Sequence, residues 1–342
     1  MSTDHFPIAP PLVNRQLPLL LLLGIIMAMC FVFALQMGTA NISILSAISD
    51  VINHRESLDA LILVEIRLPR SLLAITVGAT LGMSGAALQG LLRNPLAGPG
   101  LIGVSNCAAL GAVISLYFGL SSLFWFALPL AGMAGAALSV ILIFALAGKS
   151  ISATTLILAG IAVNALASSL TSLALNFAPN PYAMSEMVYW LLGSLTNRSL
   201  NDFLLAFPFM LLGWGFILAS GRFLTALSLG EDTAKSLGFS VSRQRILLVI
   251  GIALSVGAAV SVSGNIGFVG LLVPHLLRPL TGYEPGKLLA ASGLGGAILV
   301  LLADICVQWI SPDQELKLGV VTALVGGPFF LYLIIRTRST MP

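Results

Sequence analysis

"LPLLLLLGIIMAMCFVFAL", residues 17–35, decides the fold class. The run carries no charged side chain, and Arg15 stands just before it. Crossing a hydrocarbon core about 30 Å thick takes about 20 apolar residues in a helix. A secretory signal has a shorter apolar core, about 7–15 residues. The run therefore reads as a first transmembrane helix kept in the mature protein. The rest of the chain repeats the pattern. Its 342 residues are 58% hydrophobic and 8% charged, with a mean hydropathy of +1.02. Soluble domains average about 25% charged residues, so lipid is the main solvent and the class is an all-α polytopic membrane protein. The net charge of +3 is scattered and gives no nucleic-acid signal. Cys30, Cys107 and Cys306 lie in apolar runs without metal-ligand spacing and read as small buried hydrophobes.

Ten apolar segments follow one another with short polar joints: 16–38, 69–90, 97–117, 123–147, 153–177, 203–221, 244–262, 266–281, 287–308 and 318–336. Two of them, 97–117 and 266–281, are short or rich in glycine and read as broken or tilted helices. Lys and Arg in the joints set the orientation. With the N-terminus inside, 11 basic residues fall on the inner side and 5 on the outer. Both termini, including a tail over 1–15, are thus expected in the cytoplasm.

"GATLGMSGAALQG" (78–90) and "GMAGAALS" (132–139) place small residues at near-helical spacing. In a bilayer such residues let helix backbones approach closely. "VGATLGMSG" (77–85) and "VGAAVSVSG" (256–264) match in register, and the topology runs them in opposite directions, as in an inverted repeat.

Chemistry is sparse. "LAGKS" (146–150) ends like a phosphate loop, but Ile143 stands where the first glycine is required, so no ATPase site is expected here. Asp304 and His275 are isolated ionisable groups in spans and read as hydrogen-bonded structural groups. Arg67 and Arg70 in "EIRLPRSLLA" share a helix face on the outer side. They either snorkel to the interface or meet carboxylates of an external partner. In "LLRNPLAGPGLIG" (91–103) two prolines break the helix, and Arg93 and Asn94 can cap its end. "SLGEDTAKSLGFSVSRQR" (228–245) is a polar island. Glu231 and Asp232 suit a helix start, Lys235 its end, and Gly238 a left-handed cap. Ala234 and Leu237 form a small apolar patch, too small for firm membrane binding and suited to docking in a groove of another protein.

These motifs together resemble the FecCD family of ABC-importer permeases for iron–siderophore complexes, haem and vitamin B12. The resemblance covers about 20–337 and rests on "RLPRSLLAITVGATLGMSGAALQGLLRNPLAGPGLIGVSN", "MVYWLLGSL", "LGEDTAKSLG", "GFVGLLVPHLLR", and "ADICVQ" followed by "ELKLGVVTALVGGPFFLYLI". It implies one permease domain of ten helices with the type II importer fold. It also implies an identical or homologous second permease subunit, two partner subunits binding ATP and magnesium, and a periplasmic or lipid-anchored binding protein. No cofactor would belong to this chain. By position, Arg67 and Arg70 are similar to the arginines that receive the binding protein's acids. Asn94 and Leu96 lie in the turn resembling the inner gate, and Ser152, Ala153 and Thr154 begin a helix near it. Met187, Tyr189, Trp190 and Gly193 match a half-helix flanking the path. Glu231, Ala234, Leu237 and Gly238, within a coupling segment 226–242, match the helix that docks on the ATPase. There are two departures. Gln308 stands where many relatives carry arginine, removing one docking contact, and Lys317 replaces a proline and offers a nearby compensating charge.

The sequence-based expectation is an ATP-driven importer subunit of the bacterial inner membrane, with a ferric siderophore as first cargo and haem or cobalamin as alternatives. The rival from another class is an ion-coupled carrier working alone. Ala234→Arg is expected to leave the fold intact and uncouple transport.

Overall fold

The computed structural model describes residues 16–38, 40–148, 152–310 and 316–338. The expected tail 1–15 and Lys149 lie outside these residues. Every regular element among them is helical. Helices α1 (Gln16–Gln36), α2 (Ile44–Ile52) and α3 (Leu58–Leu61) come first, and a π-helical segment, Ile62–Arg67, leads into α4 (Leu68–Leu92). A 3₁₀ turn, Pro99–Ile102, precedes α5 (Val104–Tyr117), and the single turn α6 (Leu120–Leu123) precedes α7 (Ala127–Ala147). Next come α8 (Ala153–Asn176), α9 (Pro181–Leu191), α10 (Leu200–Ala219), α11 (Gly221–Ser228) and α12 (Glu231–Ser236). Helix α13 (Val241–Ser263), the short α14 (Val269–Leu277), α15 (Pro285–Ile310) and α16 (Leu318–Arg338) complete the chain.

All ten expected segments fall on helices. Six of them, α1, α7, α8, α10, α13 and α15, are long and apolar enough to cross a membrane by length and composition. The remaining four are α4, α5, α14 and α16. The two segments expected to be broken are broken. In the first, a left-handed Gly103 (φ +73°) separates the 3₁₀ turn from α5. In the second, α14 is only 9 residues long and starts after Phe268, itself left-handed at φ +65°.

Helix α4 is the central post. Every residue from Thr76 to Gln89 is buried, as a helix without a polar face requires. It packs antiparallel to α15 at backbone contact: a methyl on Gly78 would reach the Ala297 Cα at 2.9 Å, and one on Gly82 the Gly296 Cα at 3.2 Å. Helix α10 runs parallel to α4, since Trp214 Nε1 donates to Thr80 Oγ1 at 2.8 Å and Leu224, one helix on, lies against Gly90. Helix α13 is antiparallel to α10, with Gly213 opposite Ser255 and Gly251 opposite Phe216. The two matched stretches, 77–85 on α4 and 256–264 on α13, therefore run in opposite directions. The second glycine run serves the same close packing, with Gly132 of α7 against Ser261 of α13. By contrast, α1 is mostly exposed, with only Leu23 and Ala34 buried.

These pairings define two ends of the bundle. One holds Arg70, the C-terminus of α15 and the loop 193–199. The other holds Arg93, α11, α12 and the start of α15, where Gly286 meets Gly221.

Candidate functional site

The arginine pair is not an open basic patch. Arg67 is only 6% exposed. Its Nη1 donates to the Leu35 carbonyl at 2.7 Å and its Nη2 to the Ala40 carbonyl. It thereby satisfies a backbone acceptor that the end of α1 leaves without an intrahelical partner. Arg70 turns to α15 instead. Its Nε and Nη2 reach Asp304 Oδ2 and Oδ1, each at 2.8 Å. The expected shared outward face does not exist, because each side chain is drawn to a different helix. Asp304, 2% exposed, is the hydrogen-bonded structural group the sequence suggested. Gln308 completes it, donating from Nε2 to Asp304 Oδ2 at 2.9 Å. His275 differs from expectation: it packs edge-on against Phe329, ring centres 5.7 Å apart. Of the cysteines, Cys107 is buried while Cys306 is exposed on α15.

Beside Arg70 lies the loop 195–199, which follows the half-helix α9. Asn180 caps that helix, accepting from the Ala183 N–H at 2.8 Å, and Pro181 opens its first turn. Met187 and Trp190 are buried, whereas Tyr189 is exposed. Gly193, left-handed at φ +70°, turns the chain so that the Ser194 N–H donates to the Ser263 carbonyl at 2.8 Å. A side chain at Gly193 would meet the Asn265 carbonyl, so only glycine fits here. Two cations sit on α9's aromatic rings. The Arg198 guanidinium carbon lies 4.4 Å from the Trp190 ring centre, and Lys317 Nζ lies 4.9 Å from that of Tyr189. Together with Glu186 these four side chains line a cavity of about 270 Å³. Sequence reasoning counted Arg198 only as an outer charge. Its signal was a lone cation in "GSLTNRSL" immediately before an apolar span.

At the opposite end, Arg93 closes α4 with a left-handed backbone (φ +49°), and Asn94 caps the following turn, its Oδ1 accepting from the Leu96 N–H at 2.9 Å. Leu96 is left exposed at the tip. Ser152 caps α8 through Oγ, accepting from the Thr155 N–H at 3.0 Å, which places Ala153 and Thr154 in the first turn. Along α8 the structure adds a polar stripe that sequence reasoning missed. Asn106 Nδ2 of α5 donates to Asn164 Oδ1 at 2.6 Å and to Ser168 Oγ at 3.2 Å. Its signal was the four-residue spacing of Asn164, Ser168 and Ser172 in an apolar helix.

The polar island folds into α12 as expected. Gly238, at φ +87°, ends it in a Schellman motif: its N–H donates to the Lys235 carbonyl at 2.9 Å and that of Phe239 to the Ala234 carbonyl at 3.1 Å. The apolar patch is different from the expectation. Ala234 is 0% exposed, packed into the core, while Leu237 is 61% exposed. Ala234 belongs to the main core cluster, and the Schellman turn brings the Phe239 N–H back to its carbonyl. Leu229, Asp232, Thr233, Lys235, Ser236 and Leu237 are exposed, so the apolar part of the outward surface is Leu229 and Leu237. Glu231 is bonded to Arg245 Nη2 at 2.8 Å, fastening α12 to the first turn of α13. That bond holds the Glu231 carboxyl below its usual pKa.

The model of the FecCD transport family matches residues 25–336. An Fe(3+)-citrate import system permease protein of Bacillus subtilis is 36% identical over 324 residues, covering 93% of this chain and 96% of its own. A vitamin B12 import system permease protein of Vibrio cholerae is 38% identical over 324 residues, covering 94% of each chain. Among solved structures, a metal-chelate type ABC transporter in an inward-facing conformation superposes with a TM-score of 0.83 at 31% identity, over 93% of this chain and 99% of that one.

Proposed function

Because this chain belongs to the FecCD transport family of ABC-importer permeases, we propose that it carries an iron chelate, a ferric siderophore first, across the bacterial inner membrane by alternating access. Two copies, or this chain and a homologue, enclose the path. Haem or cobalamin is the alternative cargo within the family.

The observation that carries this reading is α12. A six-residue polar helix is fastened by Glu231–Arg245 to the stem of α13 and presents Leu229 and Leu237 outward. The chain lacks the glycine a phosphate loop needs. A rigid knob is what a partner needs to push a helix without unfolding it. In our reading ATP and magnesium bind on two partner subunits, and their closure moves α12 and, through the ion pair, α13. Because α13 contacts α4, α7 and α10, the motion reaches the whole bundle. The α12 end faces the cytoplasm and the Arg70 end faces outside, where a binding protein delivers cargo near Arg70 and Gln308. The Asn94–Leu96 turn and the first turn of α8 form the inner gate. Helix α9 and the polar stripe on α8 line the path.

The test is uptake by the complex in proteoliposomes with ATP enclosed. ATP-dependent accumulation of a ferric chelate supports the proposal. Accumulation driven by an ion gradient without any ATPase would support the carrier class instead.

A further inference from the structure

Helices α7 and α10 each pack closely on α13, yet they scarcely touch each other. A methyl on Gly257 of α13 would run into Ala136 of α7, and one on Gly213 of α10 would meet the Ser255 Cβ of α13 at 2.6 Å. A furrow of about 450 Å³ therefore runs between α7 and α10, with α13 as its floor. Ala253, Gly257 and Ala258 form the floor, Ala134 and Ala137 stand on one wall and Phe209 on the other, and every residue lining it is apolar. Water needs 2–4 polar partners to be held in such a space, so water does not fill it. Helix α7 is antiparallel to α13, since Gly132 meets Ser261, and α13 ends at the Arg70 end, where the Ser263 carbonyl accepts from the Ser194 N–H. The furrow takes up residues 130–141 of α7 and 250–258 of α13, in the half of the spans nearest that end. At 1.5 Å per residue it is about 17 Å long, roughly one leaflet of a hydrocarbon core about 30 Å thick. Exposed Phe124, Trp125 and Phe126 just before α7 form an aromatic group of the kind that sits at headgroup level, one turn above the furrow. A helix 10–12 Å across would need on the order of 1,500 Å³ over the same length. The furrow is too slim for a span of another chain and has the width of a single hydrocarbon chain.

We infer that the furrow binds one acyl chain of a phospholipid from the leaflet at the Arg70 end, held as a fixed part of the α7–α13–α10 face and not exchanging as boundary lipid. Burial of apolar surface gives no drive within a bilayer, so retention has to come from packing. A chain seated among three helices makes dispersion contacts on three sides, whereas a chain lying on the exposed side of α1 makes them on one. Helix α13 is also the one that Glu231–Arg245 fastens to α12, so the chain packs on the element that the importer reading sets in motion. The site itself does not depend on that reading, and its test needs no transport.

The full chain is reconstituted in liposomes of phosphatidylethanolamine and phosphatidylglycerol, with a small share of the phosphatidylethanolamine carrying a diazirine on one acyl chain. After irradiation the label is mapped by peptide mass spectrometry. Residues 130–141 and 250–258 are expected to carry severalfold more label than α1, the reference for boundary lipid. Ala134→Phe combined with Ala137→Phe places two rings into the furrow from exposed positions. It should bring furrow labelling down to the α1 level and leave both α1 labelling and the size-exclusion profile unchanged. Leu138→Phe, on α7 but outside the furrow, should keep the excess. Furrow labelling at or below the α1 level in the parent overturns the site, whether bilayer chains merely pass over it or another protein chain covers it. An undiminished excess in a monodisperse double variant overturns it as well. The parent map needs no substitution, so it decides the matter even where the double variant fails to fold. Native mass spectrometry after transfer to detergent should find a phospholipid retained by the parent and lost from the double variant. Retention of a free fatty acid alone, or of no lipid, overturns the phospholipid as occupant.

Discussion

Arg70 and Asp304, 234 positions apart in the chain, meet in a two-pronged ion pair that joins the start of α4 to the last turns of α15. Asp304 is almost fully buried, and Gln308 takes up the second lone pair of its Oδ2. The same two helices are in backbone contact at Gly78 and Gly82 further down. The ion pair thus pins one end of a helix pair held in backbone contact.

Removing one partner should therefore cost much more than removing both. Breaking a buried pair leaves a charge without compensation and typically costs about 3–5 kcal/mol. Asp304→Ala is expected to lower the thermal unfolding midpoint in detergent markedly. Arg70→Met combined with Asp304→Leu should recover most of the loss. Additive losses in the double variant would show that the pair is not coupled.

Glycine at the α4–α15 contact should be intolerant of even one methyl. Gly82→Ala directs a methyl into the backbone of α15 and is expected to cost about 1–3 kcal/mol by overpacking. Gly215→Ala in α10 meets nothing within 4 Å and should be neutral or stabilising by up to about 1 kcal/mol from helix propensity. Thermal midpoints of the two variants, measured side by side, check this contrast.

Burial of Ala234 reverses the expectation attached to it. Ala234→Arg forces a charge into the packing of α11, α12 and α13 and should lower the yield of monodisperse protein by size-exclusion chromatography. Leu237→Arg changes an exposed position and should leave that profile unchanged while reducing ATP-driven uptake by the complex several-fold. Normal folding of Ala234→Arg would contradict the burial.

The Glu231–Arg245 bond predicts a pH dependence with a definite sign. Its carboxyl is held below the usual pKa, chiefly by the hydrogen bond from Arg245, so the folded state binds the proton less well than the unfolded chain. The stabilisation is present above the ordinary carboxylate pKa and is lost as pH falls through the lowered value. The difference in thermal midpoint between the parent and Glu231→Gln should be largest near neutral pH and shrink as the solution is acidified below the usual carboxylate range. A difference independent of pH would remove the ion pair from the account.

Much of the architecture was legible because bilayer physics writes it locally. An apolar run long enough to span must be a helix, since no water is present to satisfy its backbone. The ten segments, the breaks before α5 and α14, and the capping of α12 by Gly238 all followed from such local demands. The roles of Arg67, Arg70 and Ala234 did not. Helical spacing brings Arg67 and Arg70 within one turn of each other, but the acceptors that claim them are the end of α1 and Asp304. The cation–aromatic cavity was invisible for the same reason: Arg198 and Lys317 are far apart in sequence and meet only because α16 starts beside α9.

By itself, then, the sequence determined that this is a helical membrane protein, where its helices start and break, which stretches are small enough for close packing, and, through motifs in order along the chain, its family. Each of these depends on neighbours within a turn or two, or on a pattern of residue types. Only the tertiary structure decided which charges are bound inside and which face of α12 is open. A charge goes wherever an unsatisfied acceptor lies within a few ångströms, and in this bundle those acceptors come from helices that are distant in the chain.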